Sequence, residues 1–190
     1  MGEQQEALAR DGRSSGVSRE EVNVRSRSSG AVSEMADGKL RIESPAFASG
    51  RPIPAPHTAD GRDVSPPLSW SGVPAGAKSL ALVCEDPDAP RGNWVHWVLY
   101  DLPPTATGLP EGVPPSERLE SGGVQGKNDF GRIGWGGPAP PSGTHRYFFR
   151  LYALDSRLDL PSGATRAQLS RAMEGHVRAE GELMGTYSRR

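Results

Sequence analysis

Cysteine is nearly missing from this chain: Cys84 is the one thiol in 190 residues. No intrachain disulfide can close, and no cysteine-based metal motif exists. Net charge is nearly missing too, with 22 basic against 23 acidic side chains. That balance provides no general field to capture nucleic acid or an anionic membrane, so neither is expected as a partner. No apolar run approaches the roughly 18 residues of a membrane span, and the N-terminus lacks the apolar stretch of a secretory signal. A cytoplasmic protein without stable membrane insertion is the simplest expectation. What the chain has in excess is 24 glycines and 18 prolines, which disfavour long helices and favour short strands joined by many turns.

Residues 1–38 contain no proline and no aromatic, but seven serines and five arginines around isolated valines and alanines. Such a stretch cannot bury enough apolar surface to offset the entropy of ordering it. A disordered N-terminal extension is expected there, followed by one folded domain at 39–190. Within that domain Leu40 and Ile42 read as a short first strand, and Gly50 to Pro67 as loop. Ser79 to Glu85, Asn93 to Asp101 and Thr144 to Asp155 are compact, apolar or aromatic runs bounded by turns, the mark of strands. Between the last two lies a long Gly- and Pro-rich connection from Leu102 to Gly143, too long to be idle. One helix is expected at Thr165 to His176, with Leu169, Ala172, Met173 and His176 on one face, and a final strand at Glu182 to Ser188. The fold class expected is mainly β, an antiparallel β-sandwich with a short helix near the C-terminus.

Side chains alternate along a strand, so His145 and Tyr147 share a face with Phe149 and Leu151, and Arg146 and Arg150 take the other. The same period puts His96 on a face with Trp94 and Val98. A single histidine on an apolar strand is more often a satisfied structural residue than a functional one; two on separate apolar strands carry more weight. Asp86 opens Asp86-Pro87-Asp88-Ala89-Pro90, a turn stiffened by two prolines that can hold a carboxylate at a pocket mouth or simply end a strand. Gly134-Trp135-Gly136-Gly137-Pro138 offers backbone with little obstruction, suited to presenting N–H groups to an anion, but it lacks the context of a dinucleotide fingerprint or P-loop.

Together, Ser65-Pro66-Pro67-Leu68-Ser69-Trp70, Asp86-Pro87-Asp88-Ala89-Pro90, Gly92-Asn93-Trp94-Val95-His96-Trp97, Gly136-Gly137-Pro138 with Gly143-Thr144-His145-Arg146-Tyr147, and Glu182-Leu183-Met184-Gly185-Thr186-Tyr187 resemble the phosphatidylethanolamine-binding protein family in its bacterial Raf kinase inhibitor-like branch. The resemblance covers Leu40 to Arg190. It implies a small pocket for phosphate or phosphorylated head groups lined by Asp86, His96, His145 and Tyr147, with Pro90, Trp94, Gly136 and Pro138 around it and Asp88 bracing the turn.

Four readings of this constellation compete. The favoured one is a small-anion binding module that modulates or inhibits a partner enzyme, with no cofactor and no metal; its ligand is phosphate-like or a carboxylate, its protein partner is unspecified, and a homodimer is compatible with it. An enzyme using Asp86, His96, His145 and Tyr147 as general acid and base is the alternative, weakened by the lack of a recognisable Ser or Cys nucleophile. A metal site of two histidines and one carboxylate is disfavoured because the three residues come from separate strands without ligand spacing. An inhibitor docking its pocket rim onto a protease or kinase has no sequence feature of its own.

Overall fold

The structure is a computed structural model that describes residues 39–189; the extension expected at 1–38 lies outside the described residues. Two antiparallel sheets form the body. The smaller holds β1 (Arg41–Glu43), β2 (Leu68–Ser71) and β5 (Gly108–Leu109) in the order β1-β2-β5. The larger holds β3 (Ser79–Asp86), β4 (Trp94–Leu102), β6 (Val124–Gln125), β7 (Thr144–Leu154) and β8 (Val177–Ser188) in the order β6-β4-β3-β7-β8. The helix α1 spans Arg166–Met173.

All eight residues of β3 are buried, which explains why its sequence reads as a continuous apolar run rather than an alternation. Leu80, Leu82 and Cys84 face the small sheet and join Trp97, Leu99, Tyr147, Phe149 and Leu151 in the main core. Ala81 and Val83 face the other way, onto Val98, Tyr100 and Leu154 and onto Leu169 and Met173 of α1. Burying a leucine or phenylalanine fully is worth roughly 1.5–3 kcal/mol, so these two layers carry most of the cohesion. Glu85, next along on the helix side, is buried and accepts from Asn93, Arg150 and Arg166 at 2.8–3.0 Å, which ties α1 to the sheet.

Helix α1 starts as its sequence dictates. Thr165 accepts the Gln168 N–H, and the Gln168 side chain returns to the Thr165 N–H at 2.8 Å, a reciprocal cap. It ends earlier than the apolar period predicts, at Met173, because Gly175 takes φ +78° and turns the chain away. His176 is therefore off the helix, and its Nδ1 lies 2.8 Å from the Asp155 carboxylate. The last strand begins at Val177, not Glu182, and pairs with β7 along its length, from Leu154 opposite Val177 to Thr144 opposite Ser188. Its first half was hidden by exposed Arg178 and Glu180 and by Gly181, where a Cβ would lie 2.3 Å from the Leu40 carbonyl oxygen. Among the described residues no helix is long and apolar enough to cross a membrane.

Candidate functional site

Three strands of the large sheet deliver the predicted residues to one end. Asp86 closes β3, Trp94 and His96 open β4, and His145 opens β7. The β3–β4 pairing is interrupted here: Cys84 faces Trp97, yet Glu85 faces Val95, so His96 is an extra residue. This bulge breaks the strand's alternation. Val98 turns into the core beneath α1, whereas the His96 ring sits 5.1 Å from the Tyr147 ring and 6.4 Å from that of Trp135, both of the main core. The expectation that His96 and Val98 share a face is thereby corrected.

Both imidazoles have one nitrogen committed. His96 is 2% exposed, and its Nδ1 lies 2.6 Å from the Gly136 carbonyl oxygen. His145 is 7% exposed, with Nδ1 2.7 Å from Asp86 Oδ2. A carbonyl and a carboxylate only accept, so each Nδ1 carries the hydrogen and each Nε2 remains available. Burial pushes the His96 pKa down, against the pull of the Gly136 carbonyl and of the Asp86, Asp129 and Asp63 charges. The other Asp86 oxygen accepts the Asp88 N–H at 2.9 Å. Asp88 in turn grips Arg146, accepting from its backbone N–H, Nε and Nη2 at 2.8–2.9 Å, and fastens the turn to β7. Those bonds hold the Asp88 carboxyl low, at about 2.

The Tyr147 ring is fully buried, and its hydroxyl has no hydrogen-bond partner among the described residues. Burial, and secondarily the Asp86 charge, pushes its pKa far above the usual phenol range. It is a donor, never a phenolate, at any ordinary pH.

The buried Asp86, His96 and His145 form the base of a pocket of about 290 Å³, and Pro90 and Trp94 stand on its wall. Gly136, Pro138 and Tyr147, expected in the pocket, are not among the residues that line it. Gly136 brackets His96, accepting from its ring and donating its N–H to the His96 carbonyl at 3.0 Å. Pro138 accepts the Ala59 N–H at 3.1 Å. Two of the N–H groups expected to face an anion are already committed, the Gly136 N–H to the His96 carbonyl and the Gly137 N–H to Asp63 Oδ1 at 2.7 Å.

Several lining residues escaped the sequence reading: Arg91, Phe130, Ala139, Pro140 and Pro141. Arg91 makes no ion pair with another described residue. Phe130 is 41% exposed and sits edge-on to Trp94 at 5.5 Å and to His96 at 5.3 Å. It rides on a turn built by Asn128, whose Oδ1 accepts the N–H groups of Phe130 and Arg132 while its Nδ2 donates to the Gly134 carbonyl. Asp129 sews that turn to β4 by accepting the Val95 N–H at 2.8 Å. The available signal was Asn128-Asp129-Phe130-Gly131 itself, an aromatic within a polar turn of a long loop. No group of three His, Cys, Asp or Glu side chains among the described residues is arranged to hold a metal.

Residues 43–188 match the sequence profile described as phosphatidylethanolamine-binding protein. A UPF0098 protein of Methanothermobacter thermautotrophicus is 55% identical over 150 residues, 79% of this chain and 99% of that protein. Among solved structures, a phosphatidylethanolamine-binding protein homologue from Chlamydia trachomatis superposes with a TM-score of 0.75 at 45% identity, covering 80% of this chain and 99% of that one. E. coli YbcL, described as a member of the mammalian PEBP family, gives 0.75 at 33% identity with the same coverage of both chains.

Proposed function

This chain belongs to the phosphatidylethanolamine-binding protein family, and we propose that its pocket binds a small anion, phosphate or a phosphorylated head group, as a binding module that modulates or inhibits a partner enzyme. One observation carries the reading: two imidazoles on one pocket each have Nδ1 tied to an internal acceptor, which leaves two Nε2 atoms for one ligand. A neutral Nε2 accepts from a protonated phosphate oxygen, and a charged ring donates to an unprotonated one, so the pair suits a group that carries both. Arg91 of the lining supplies positive charge to the pocket. Asp86 fixes the His145 tautomer and meets the ammonium of a zwitterionic head group if one is bound.

The Asp86–His145 pair at 2.7 Å also favours a second reading, general acid/base catalysis by Asp86, His96, His145 and Tyr147. Against it, no Ser, Thr or Cys lines the pocket. Burial pushes the Cys84 thiol up, away from reactivity. The bonded Gly136 and Gly137 N–H groups cannot serve as an oxyanion hole. Incubation with a panel of phosphorylated and carboxylated small molecules, followed for both binding and ligand integrity, separates the two. Binding without conversion supports the module; turnover that disappears in His145→Ala supports the enzyme.

A further inference from the structure

The wall of the pocket is mostly apolar. Pro90, Trp94, Phe130, Pro140 and Pro141 surround a base of one carboxylate and two imidazoles, and a bare hydrated phosphate gains nothing from rings of that kind. Phe130 is the large aromatic of this wall that is exposed, at 41%, and yet held by several contacts. Its ring lies edge-on to both Trp94 and His96. The Arg132 guanidinium lies 5.6 Å from its centroid, and Arg132 is paired with Asp63 at 2.8 Å. Asp63 takes φ +54°, a left-handed conformation that aspartate adopts more readily than most residues. Here its two oxygens are divided between Arg132 and the Gly137 N–H. The chain of contacts runs from Asp63 through a guanidinium to an exposed ring packed edge-on to His96.

We infer that Phe130, held by the Arg132–Asp63 pair, makes the pocket selective for an amphipathic anion, a phosphate bearing a flat apolar ring, over phosphate alone. This rests on the anion reading given above and adds the class of group attached to the anion. The anionic end meets His96 and His145, and the ring enters the collar of Trp94, Phe130 and the prolines, where edge-to-face packing rewards a ring more than a chain. A volume of about 290 Å³ is at the small end of ligand pockets and suits a single ring rather than a lipid body.

Titration of the full chain with inorganic phosphate, phenyl phosphate and hexyl phosphate tests this. Phenyl phosphate is expected to bind about three- to tenfold more tightly than phosphate, the range of one aromatic pair, and more tightly than hexyl phosphate. Phe130→Ala brings the ratio of the phenyl phosphate and phosphate constants to near one, and Phe130→Tyr retains it. Arg132 is a positioning residue, so Arg132→Gln lowers the ratio part-way. Equal affinity for phosphate and phenyl phosphate, hexyl phosphate as tight as phenyl phosphate, or a preference that survives Phe130→Ala would overturn the selectivity and leave the anion site standing. If none of the three binds, the anion reading itself fails and this inference falls with it.

Discussion

His145 Nδ1 lies 2.7 Å from the Asp86 carboxylate, so a side chain at the end of β3 decides which nitrogen of a β7 imidazole is left for the pocket. His96 reaches the same state through a different acceptor, the Gly136 carbonyl. Nitrogen-15 shifts of the imidazoles, recorded at pH 8, are expected to show both rings as Nδ1–H tautomers. In Asp86→Ala the His145 ring should lose that preference while His96 keeps it. Retention of the His145 tautomer in the variant would mean that Asp86 does not set it.

The lowered His96 pKa makes stability depend on pH. In the folded chain the ring resists protonation, whereas in the unfolded chain it charges near 6.5. As pH falls below about 6.5 the unfolded state binds the extra proton, so stability is lost toward the lower folded pKa, by at most about 1.4 kcal/mol per pH unit. Urea denaturation at pH 7.5 and 5.0 should show a larger loss in the wild type than in His96→Gln, which has no titrating group at that position. An equal loss in both would remove His96 as the source.

Asp88 acts in the same direction, in a lower pH window. Its carboxyl is held at about 2 by the Arg146 bonds, so its contribution is full above about 4 and disappears as pH falls toward 2. The pair is partly exposed, so Asp88→Asn should cost no more than about 1 kcal/mol. Carbon-13 titration of the carboxyl gives the check: a midpoint near 4 would mean that the grip on Arg146 is not kept in solution.

Cys84 faces the main core and is fully buried. Cys84→Ser puts a hydroxyl among apolar groups and should lower stability by about 1–3 kcal/mol while leaving phosphate affinity essentially unchanged. Thermal melts and titration of the same preparation separate the two effects. A variant as stable as the wild type but weakened in binding would reverse the assignment.

The strands that build the site were legible because β3, β4 and β7 each bury most of their residues and so stand out as apolar runs between turns. β2, β5 and β6 are two to four residues long, too short for any period to register. β8 was half visible, since its outer face carries charge and its inner face carries Gly181 and Gly185, where backbone and Ile53 pack too closely for a side chain. At the site, Asp86, His96 and His145 could be named in advance, but the side on which His96 lies could not. A single bulged residue shifts everything before it, and no local pattern announces one. Phe130, Arg132 and Asp63 were invisible for another reason. Their placement depends on contacts such as Asp63 with Gly137, 74 positions apart, between loops whose shape is set by individual side chains such as Asn128 and not by periodicity.

In the proposed function His96 and His145 hold one anion together. Calorimetric titration of phosphate into the wild type, His96→Ala, His145→Ala and the double variant, each confirmed folded by circular dichroism, tests it most directly. Each single substitution is expected to weaken binding by about 1–3 kcal/mol, the loss of a hydrogen bond to a charged group, and the double to cost less than the sum because both side chains contact one ligand. Phosphate binding at wild-type strength in either folded single variant would contradict the claim.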